Sequence, residues 1–301
     1  MLLGNPRKRN EVADLGNFKI GVMVDSFRLP LEDGIRKAAE VGASGIQIYS
    51  TSGEMAPENL PAGRRREILN LIRSSGLVVS ALCGDLGGHG FARAEDNGWK
   101  IEKSKRIMDL ARDLDTNVVT THIGVVPEDS KHPRRKIMEE ACRALGEYGE
   151  SVGACFAIET GPELASTLGA FLKSIDTKGV GVNFDPANLV MVADDDPVSA
   201  VKILKEYIVH THAKDGVMLE KTEPQRIYDF FADGGIEDIN LEEYFREVPL
   251  GEGAVNFDKY LEALNSNGYK GFLTIEREVG ADPERDIRLA VEFLKKKTVN
   301  F

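Results

Sequence analysis

Four chemically capable residues stand at the ends of four successive apolar runs in the second half of the chain. Glu159 closes CFAIET, Asp185 lies in VGVNFDPAN, His212 in IVHTHAKD and Glu276 in FLTIERE. If the runs are strands, alternation decides where each side chain points. Phe156 and Ile158 then share one face, Ala157 and Glu159 the other, and the same division puts Asn183 with Asp185, His210 with His212, and Thr274 with Glu276. The bulky face suits a covering layer of helices, so the polar face turns inward. Three carboxylates and an imidazole gathered there repel one another unless a positive charge sits among them. A divalent cation supplies it. Three oxygen donors and one nitrogen fit Mn²⁺ or Mg²⁺, with Co²⁺ or Zn²⁺ as further candidates, better than a thiolate site. Any one of these residues could merely cap a helix or pair with a lysine; four in succession on one face point to a metal.

The elements that must position them follow from apolar patterning. Eight short runs rich in Val, Ile, Phe or Thr read as buried parallel strands: 18–24, 45–49, 77–83, 117–123, 155–159, 180–185, 208–214 and 272–276. Between them lie segments of helical period, among them 31–41, 61–75, 99–114 and 134–152. Gly42, Gly76 and Gly153 stand where left-handed caps are wanted, and Asp282 with Pro283 opens the last helix. Strands alternating with helices over most of the chain predict an α/β fold, a single-domain (β/α)₈ TIM barrel over 18–301. The competing architecture is a doubly wound open sheet, but no GxGxxG turn follows the first strand. Residues 1–17 read as a polar leader without the apolar core of a secretory signal. Segment 216–270, between the seventh and eighth strands, reads as an insertion that supplies extra helices, a lid or an interface.

Composition excludes several functions. With 38 basic and 49 acidic side chains the net charge is −11, which argues against nucleic acid and anionic membrane surfaces as partners. No apolar run is long enough to span a bilayer. The odd set Cys83, Cys142 and Cys155 reads as buried free thiols in a reducing cytoplasm. Arg64 to Arg66 and Arg134 to Arg135 read as solvated helix faces.

Softer candidates surround the four ligands. His122 shares the inward face of the fourth strand with Thr120 and is expected to contact substrate, with a satisfied buried histidine as the alternative. His210 lies one layer below His212, and Lys214 continues the same face, either binding a substrate oxygen or balancing carboxylates by pairing with Asp215 or Glu252. Asp85 and His89, in the glycine-rich CGDLGGHGF segment, could reach the mouth. Phe230 and Phe231 are candidates to close over substrate, or to pack a helix or subunit contact.

From residue 18 onward the sequence resembles the xylose-isomerase-like barrels of the sugar phosphate isomerase/epimerase superfamily, which include ketose 3-epimerases, hydroxypyruvate isomerases and inosose dehydratases. The resemblance is carried by GIRKAAEVGASGIQIY, IET, NFDPANLV, HTHAKD, PLGEGAVNF and IERE, in that order. It implies one divalent metal on Glu159, Asp185, His212 and Glu276, with the two glutamates as the acid/base pair on opposite faces of an enediolate. It implies substrate contacts for Asn188, which stands where several relatives carry histidine, and for Gln47, where many carry glutamate. The expected function is a sugar isomerase or epimerase acting on a ketose or keto-polyol, in a homo-oligomer (dimer or tetramer). The alternative on the same scaffold is a keto-inositol (inosose) dehydratase. A non-catalytic sugar- or metal-binding barrel and an AP endonuclease stand further off, the latter because Asn188 replaces a ligand histidine and the chain has five histidines.

Overall fold

In the computed structural model, which describes residues 18–236, 239–299 and 301, the apolar runs form one closed parallel barrel. Its strands are β1 (Lys19–Met23), β2 (Gly45–Tyr49), β3 (Val78–Cys83), β4 (Val118–Thr121), β5 (Cys155–Glu159), β6 (Val180–Phe184), β7 (Ile208–Ala213) and, last, β10 (Phe272–Ile275). The ring closes where Lys19 to Val22 pair in parallel with Phe272 to Ile275. Two register shifts interrupt the ladder, one between Ile46 and Gln47 and one between Val182 and Asn183. The leader 1–17 lies outside the described residues.

The helices α1 (Leu31–Glu40), α2 (Ala62–Ser74), α3 (Ala94–Asp113), α4 (Pro133–Val152), α5 (Ala165–Ile175), a single turn α6 (Pro186–Asn188) and α7 (Pro197–Leu204) follow successive strands. Gly42, Gly76 and Gly153 take positive φ, as the expected helix caps require. The outward strand faces pack against the helices and the turns that lead into them: Phe184 stacks on Tyr260 of the helix before β10 at 5.6 Å, and Phe156 meets Phe91, in the turn before α3, edge-on at 5.7 Å. Each such fully buried side chain stabilises the fold by about 1.5–3 kcal/mol. Ala81, Val118 and Ala157 form a small apolar group separate from the main core.

Segment 216–270 holds more than added helices. Strand β8 (Asp215–Met218) pairs antiparallel with β9 (Phe245–Val248), and α8 (Pro224–Ala232) lies between them in sequence. Next comes α9 (Phe257–Ser266), which packs on α7 as part of the regular helix ring, before α10 (Pro283–Thr298) completes it. Asp282 caps α10 by accepting from Arg285 N–H at 3.1 Å. No helix among the described residues is long and apolar enough to cross a membrane.

Two expectations need correcting. Arg135 is not on a solvated face: it is 3% exposed, donating to the Pro127 carbonyl at 3.0 Å and to Glu139 at 3.2 Å. Cys83 and Cys142 are buried free thiols, whereas Cys155 is only partly covered.

Candidate metal centre

The strand ends bring Glu159, Asp185, His212 and Glu276 together inside the mouth of the barrel, all four buried, with one donor atom from each lying within 4.8 Å of the others. His212 Nδ1 faces three carboxylates, at 3.6 Å from Glu159 Oε1, 3.5 Å from Asp185 Oδ2 and 3.3 Å from Glu276 Oε2. Asp185 divides its work. Oδ1 accepts from the N–H groups of Ala187 at 2.7 Å and Asn188 at 3.1 Å, capping α6, while Oδ2 turns to the centre. Asp185 Oδ2 and His212 Nδ1 are buried without a hydrogen-bond partner among the described residues. A buried polar atom left so is costly, and a divalent cation among one nitrogen and three carboxylates satisfies both at once. The residues present therefore fit a divalent cation.

The electrostatics agree. Burial works against charge on His212, yet Glu276 and Glu159 outweigh it and hold the ring's pKa well above its ordinary value. That negative field is the one a cation would meet. The two glutamates are held differently. Glu159 accepts from neutral amides, Asn183 at 2.9 Å and Asn188 at 3.1 Å. Glu276 accepts from the Lys214 ammonium at 3.0 Å. Burial opposes its ionisation, but Lys214 and His212 outweigh burial and keep the carboxyl well below the usual range.

Of the softer candidates, Asn188 is brought to the ligands directly, and Gly161 makes room for it. Gly161 has φ +150°, and a Cβ there would lie 2.4 Å from Asn188 Cβ. His122 lies at the rim, with Nε2 3.5 Å from Glu159 Oε1 and Nδ1 3.2 Å from Asp85 Oδ2. Lys214 is 4% exposed and pairs with Glu276 and Glu278, not with Asp215 or Glu252. His89 is drawn away from the centre: its Nε2 lies 2.8 Å from Asp233 Oδ1, tying the loop after β3 to the end of α8. Phe231 is 63% exposed and meets Phe230 edge-on.

Gln47, expected to touch substrate, and His210, expected one layer below His212, are both enclosed. His210, 2% exposed, accepts from Thr274 Oγ1 at Nε2 (3.0 Å) and donates from Nδ1 to Asn183 Oδ1 (2.8 Å). Burial, then the neighbouring His212, pushes its pKa well below the ordinary value, so the ring is neutral. Gln47, fully buried, bonds Thr120 and His212. Both belong to a buried hydrogen-bonded layer beside His212.

Sequence reasoning placed Asn183 on the inward face but gave it no task, and it overlooked Glu163. The Glu163 carboxylate accepts from Val126 N–H at 3.1 Å and joins the loops after β4 and β5. Burial pushes its pKa up to about 8. The signal for Asn183 was its position two residues before Asp185 on the ligand face; for Glu163 the sequence offered none.

A family model described as Xylose isomerase-like TIM barrel matches residues 35–297. Among curated proteins, an uncharacterized protein of Methanocaldococcus jannaschii is 26% identical over 65% of this chain and 62% of its own length. An inosose dehydratase of Lactiplantibacillus plantarum is 26% identical over 57% of this chain and 58% of its own. The alignments thus span about three fifths of these relatives. Three solved structures share the fold. They are a xylose isomerase domain protein from Planctomyces limnophilus (TM-score 0.76, 23% identity, 94% of this chain and 99% of that one), the probable 3-DHS dehydratase AsbF of Bacillus anthracis (0.71, 21%, 92% and 98%), and a D-psicose 3-epimerase of Clostridium cellulolyticum solved with D-tagatose (0.69, 15%, 93% and 99%).

Proposed function

Because the chain belongs to the xylose isomerase-like TIM barrel family, we propose that it is a divalent-metal-dependent sugar isomerase or epimerase. Its substrate is a ketose or keto-polyol, and the reaction is proton transfer through an enediolate. The observation that carries this reading is the bare Nδ1 of His212 facing Glu159, Asp185 and Glu276. When bound there, a cation such as Mn²⁺ or Mg²⁺ supplies positive charge against the oxyanion that develops on the substrate.

The chain's own residues account for the rest. Glu159 and Glu276 come from opposite sides of the cluster, on β5 and just after β10, which suits them to remove a proton on one face of the substrate carbon and return one on the other. Lys214 keeps Glu276 ionised, so Glu276 serves as base. The Asn183 and Asn188 amides orient Glu159. His122 would hold a substrate hydroxyl, a role supported by its contact with Asp85 and its partial exposure.

The second reading is a dehydratase, favoured by the similarity to an inosose dehydratase over 57% of this chain. The first half-reaction is shared; the two diverge when a proton returns to carbon or a hydroxyl leaves. Incubating a panel of ketoses and inososes in D₂O with Mn²⁺ separates them. Deuterium at carbon with an unchanged skeleton supports the epimerase, and a conjugated dehydration product supports the lyase. Normal sugar binding with neither outcome removes both. Glu159→Gln should abolish turnover in a folded protein, and activity near wild type would take Glu159 out of the mechanism.

A further inference from the structure

The ring of His212 has a second nitrogen, and its surroundings are as specific as those of the first. Nε2 lies 3.1 Å from the side-chain oxygen of Gln47 and 3.2 Å from the amide nitrogen of Asn183. Both amides are fixed by other bonds. Gln47 donates from its own nitrogen to Thr120 Oγ1 at 2.9 Å, which turns its oxygen to His212. Asn183 accepts from His210 Nδ1 at 2.8 Å through its oxygen and donates to Glu159 Oε2 at 2.9 Å through its nitrogen. The only acceptor among the partners of Nε2 is therefore the Gln47 carbonyl.

A buried amide oxygen without a donor is costly. Gln47 is fully enclosed, and the N–H of His212 is the donor its oxygen faces. A neutral imidazole has one proton to place. With that proton on Nε2, the lone pair lies on Nδ1, the atom that faces three carboxylates without a hydrogen-bond partner. The backbone is bent to this arrangement: the two register shifts of the barrel fall at Gln47 and Asn183, the residues whose amides flank Nε2. Such irregularities re-aim side chains beside functional sites.

We propose that Gln47 is a positioning residue whose side-chain carbonyl holds His212 as the Nε2-protonated tautomer, keeping the Nδ1 lone pair aimed at the cation. This rests on the reading of the four-residue cluster as a metal centre. An outer hydrogen bond to a ligating imidazole fixes its ring and tautomer, and losing it costs about 10–100-fold in metal affinity. The neutral amide accomplishes this without adding a fourth carboxylate beside three.

The test uses the full chain. Mn²⁺ affinity is measured by electron paramagnetic resonance titration for the wild type, Gln47→Met and Gln47→Glu. Alongside, ¹⁵N-histidine NMR of the Mg²⁺ form reports which ring nitrogen of His212 carries the proton. Gln47→Met, which removes the acceptor at similar length, should weaken Mn²⁺ by about 10–100-fold and release the tautomer. Gln47→Glu, which keeps an oxygen acceptor, should bind close to wild type. Wild-type affinity in Gln47→Met, or a wild-type His212 protonated on Nδ1, overturns the assignment. Should the wild type bind no Mn²⁺, the metal reading fails and this assignment with it, whereas a wild type that binds Mn²⁺ and a Gln47→Met that binds it equally well overturns the assignment alone.

Discussion

Lys214 donates to Glu276 Oε2 at 3.0 Å, joining the ends of two neighbouring barrel strands with both side chains buried. A buried pair of this kind is expensive to break, because removing one partner leaves an uncompensated charge worth about 3–5 kcal/mol. Lys214→Met should therefore lower the unfolding free energy of the metal-free protein, read from urea titration, by an amount in that range, and by clearly less once Mn²⁺ is present. Equal losses with and without Mn²⁺ would detach Lys214 from the charge balance of the centre.

Chelation should act in the same direction. Dialysis against EDTA should lower the melting temperature, and Mn²⁺ at a hundred times its dissociation constant should return about 2.7 kcal/mol. Asp185→Asn, which weakens the ligand whose Oδ2 has no other partner, should blunt that response. A melting curve indifferent to Mn²⁺ in the wild type would count against the site.

Glu163 carries a pH signature. Burial raises its pKa from 4.5 to about 8, so the folded protein holds a proton that the unfolded chain releases between those values. Stability should be full below about pH 4.5 and fall as pH rises toward about 8, at no more than about 1.4 kcal/mol per unit, then level off. Glu163→Gln keeps an oxygen for the Val126 N–H and should flatten this part of the profile, as seen in denaturant midpoints at pH 6 and pH 8.5. An unchanged slope would show that other groups set it.

Gly161→Ala should disturb the centre from outside it. The new methyl would meet Asn188 Cβ at 2.4 Å, displacing the amide that holds Glu159 at 3.1 Å. The positive φ adds a backbone cost of about 1–3 kcal/mol. Turnover should fall by more than the stability loss explains when assayed well below the melting temperature, with Mn²⁺ affinity less affected. Full activity would make Asn188 dispensable to Glu159.

His89 should matter to motion more than to chemistry. It joins the loop after β3 to Asp233 at the end of α8, so His89→Ala should speed proteolysis between Leu219 and Tyr244 while the melting temperature holds. Unchanged cleavage would show that α8 is held by its other contacts.

The barrel and its four ligands were legible because strands buried on both faces must be apolar runs, which leaves the odd polar residue at a strand end conspicuous. Glu159, Asp185, His212 and Glu276 announce themselves in this way. The layer beneath them was harder to read. Gln47, Asn183, His210 and Thr274 are ordinary strand residues in one dimension, and their bonds cross between strands 24 to 165 residues apart. The register shifts that align Gln47 and Asn183 leave no mark in composition. The β8–β9 pair was read as helix or lid because its strands are four residues each and separated by α8. Arg135 reads as a surface residue because nothing local in the sequence reveals the Pro127 carbonyl it meets.

Asp215, the residue next to Lys214, spends its whole carboxylate on backbone: Oδ1 accepts from Gly216 and Val255, Oδ2 from Gly251 and Gly253. The foot of the β8–β9 ribbon is thereby bolted to the barrel at the strand that carries His212. That anchoring separates the foot of the ribbon from its tip: changes in α8 leave these four backbone bonds intact and reach the mouth through contacts such as Asp233 to His89. Substrate range could thus be retuned at the tip while the strand end that carries His212 stays held, a division of labour open to protein engineers as well.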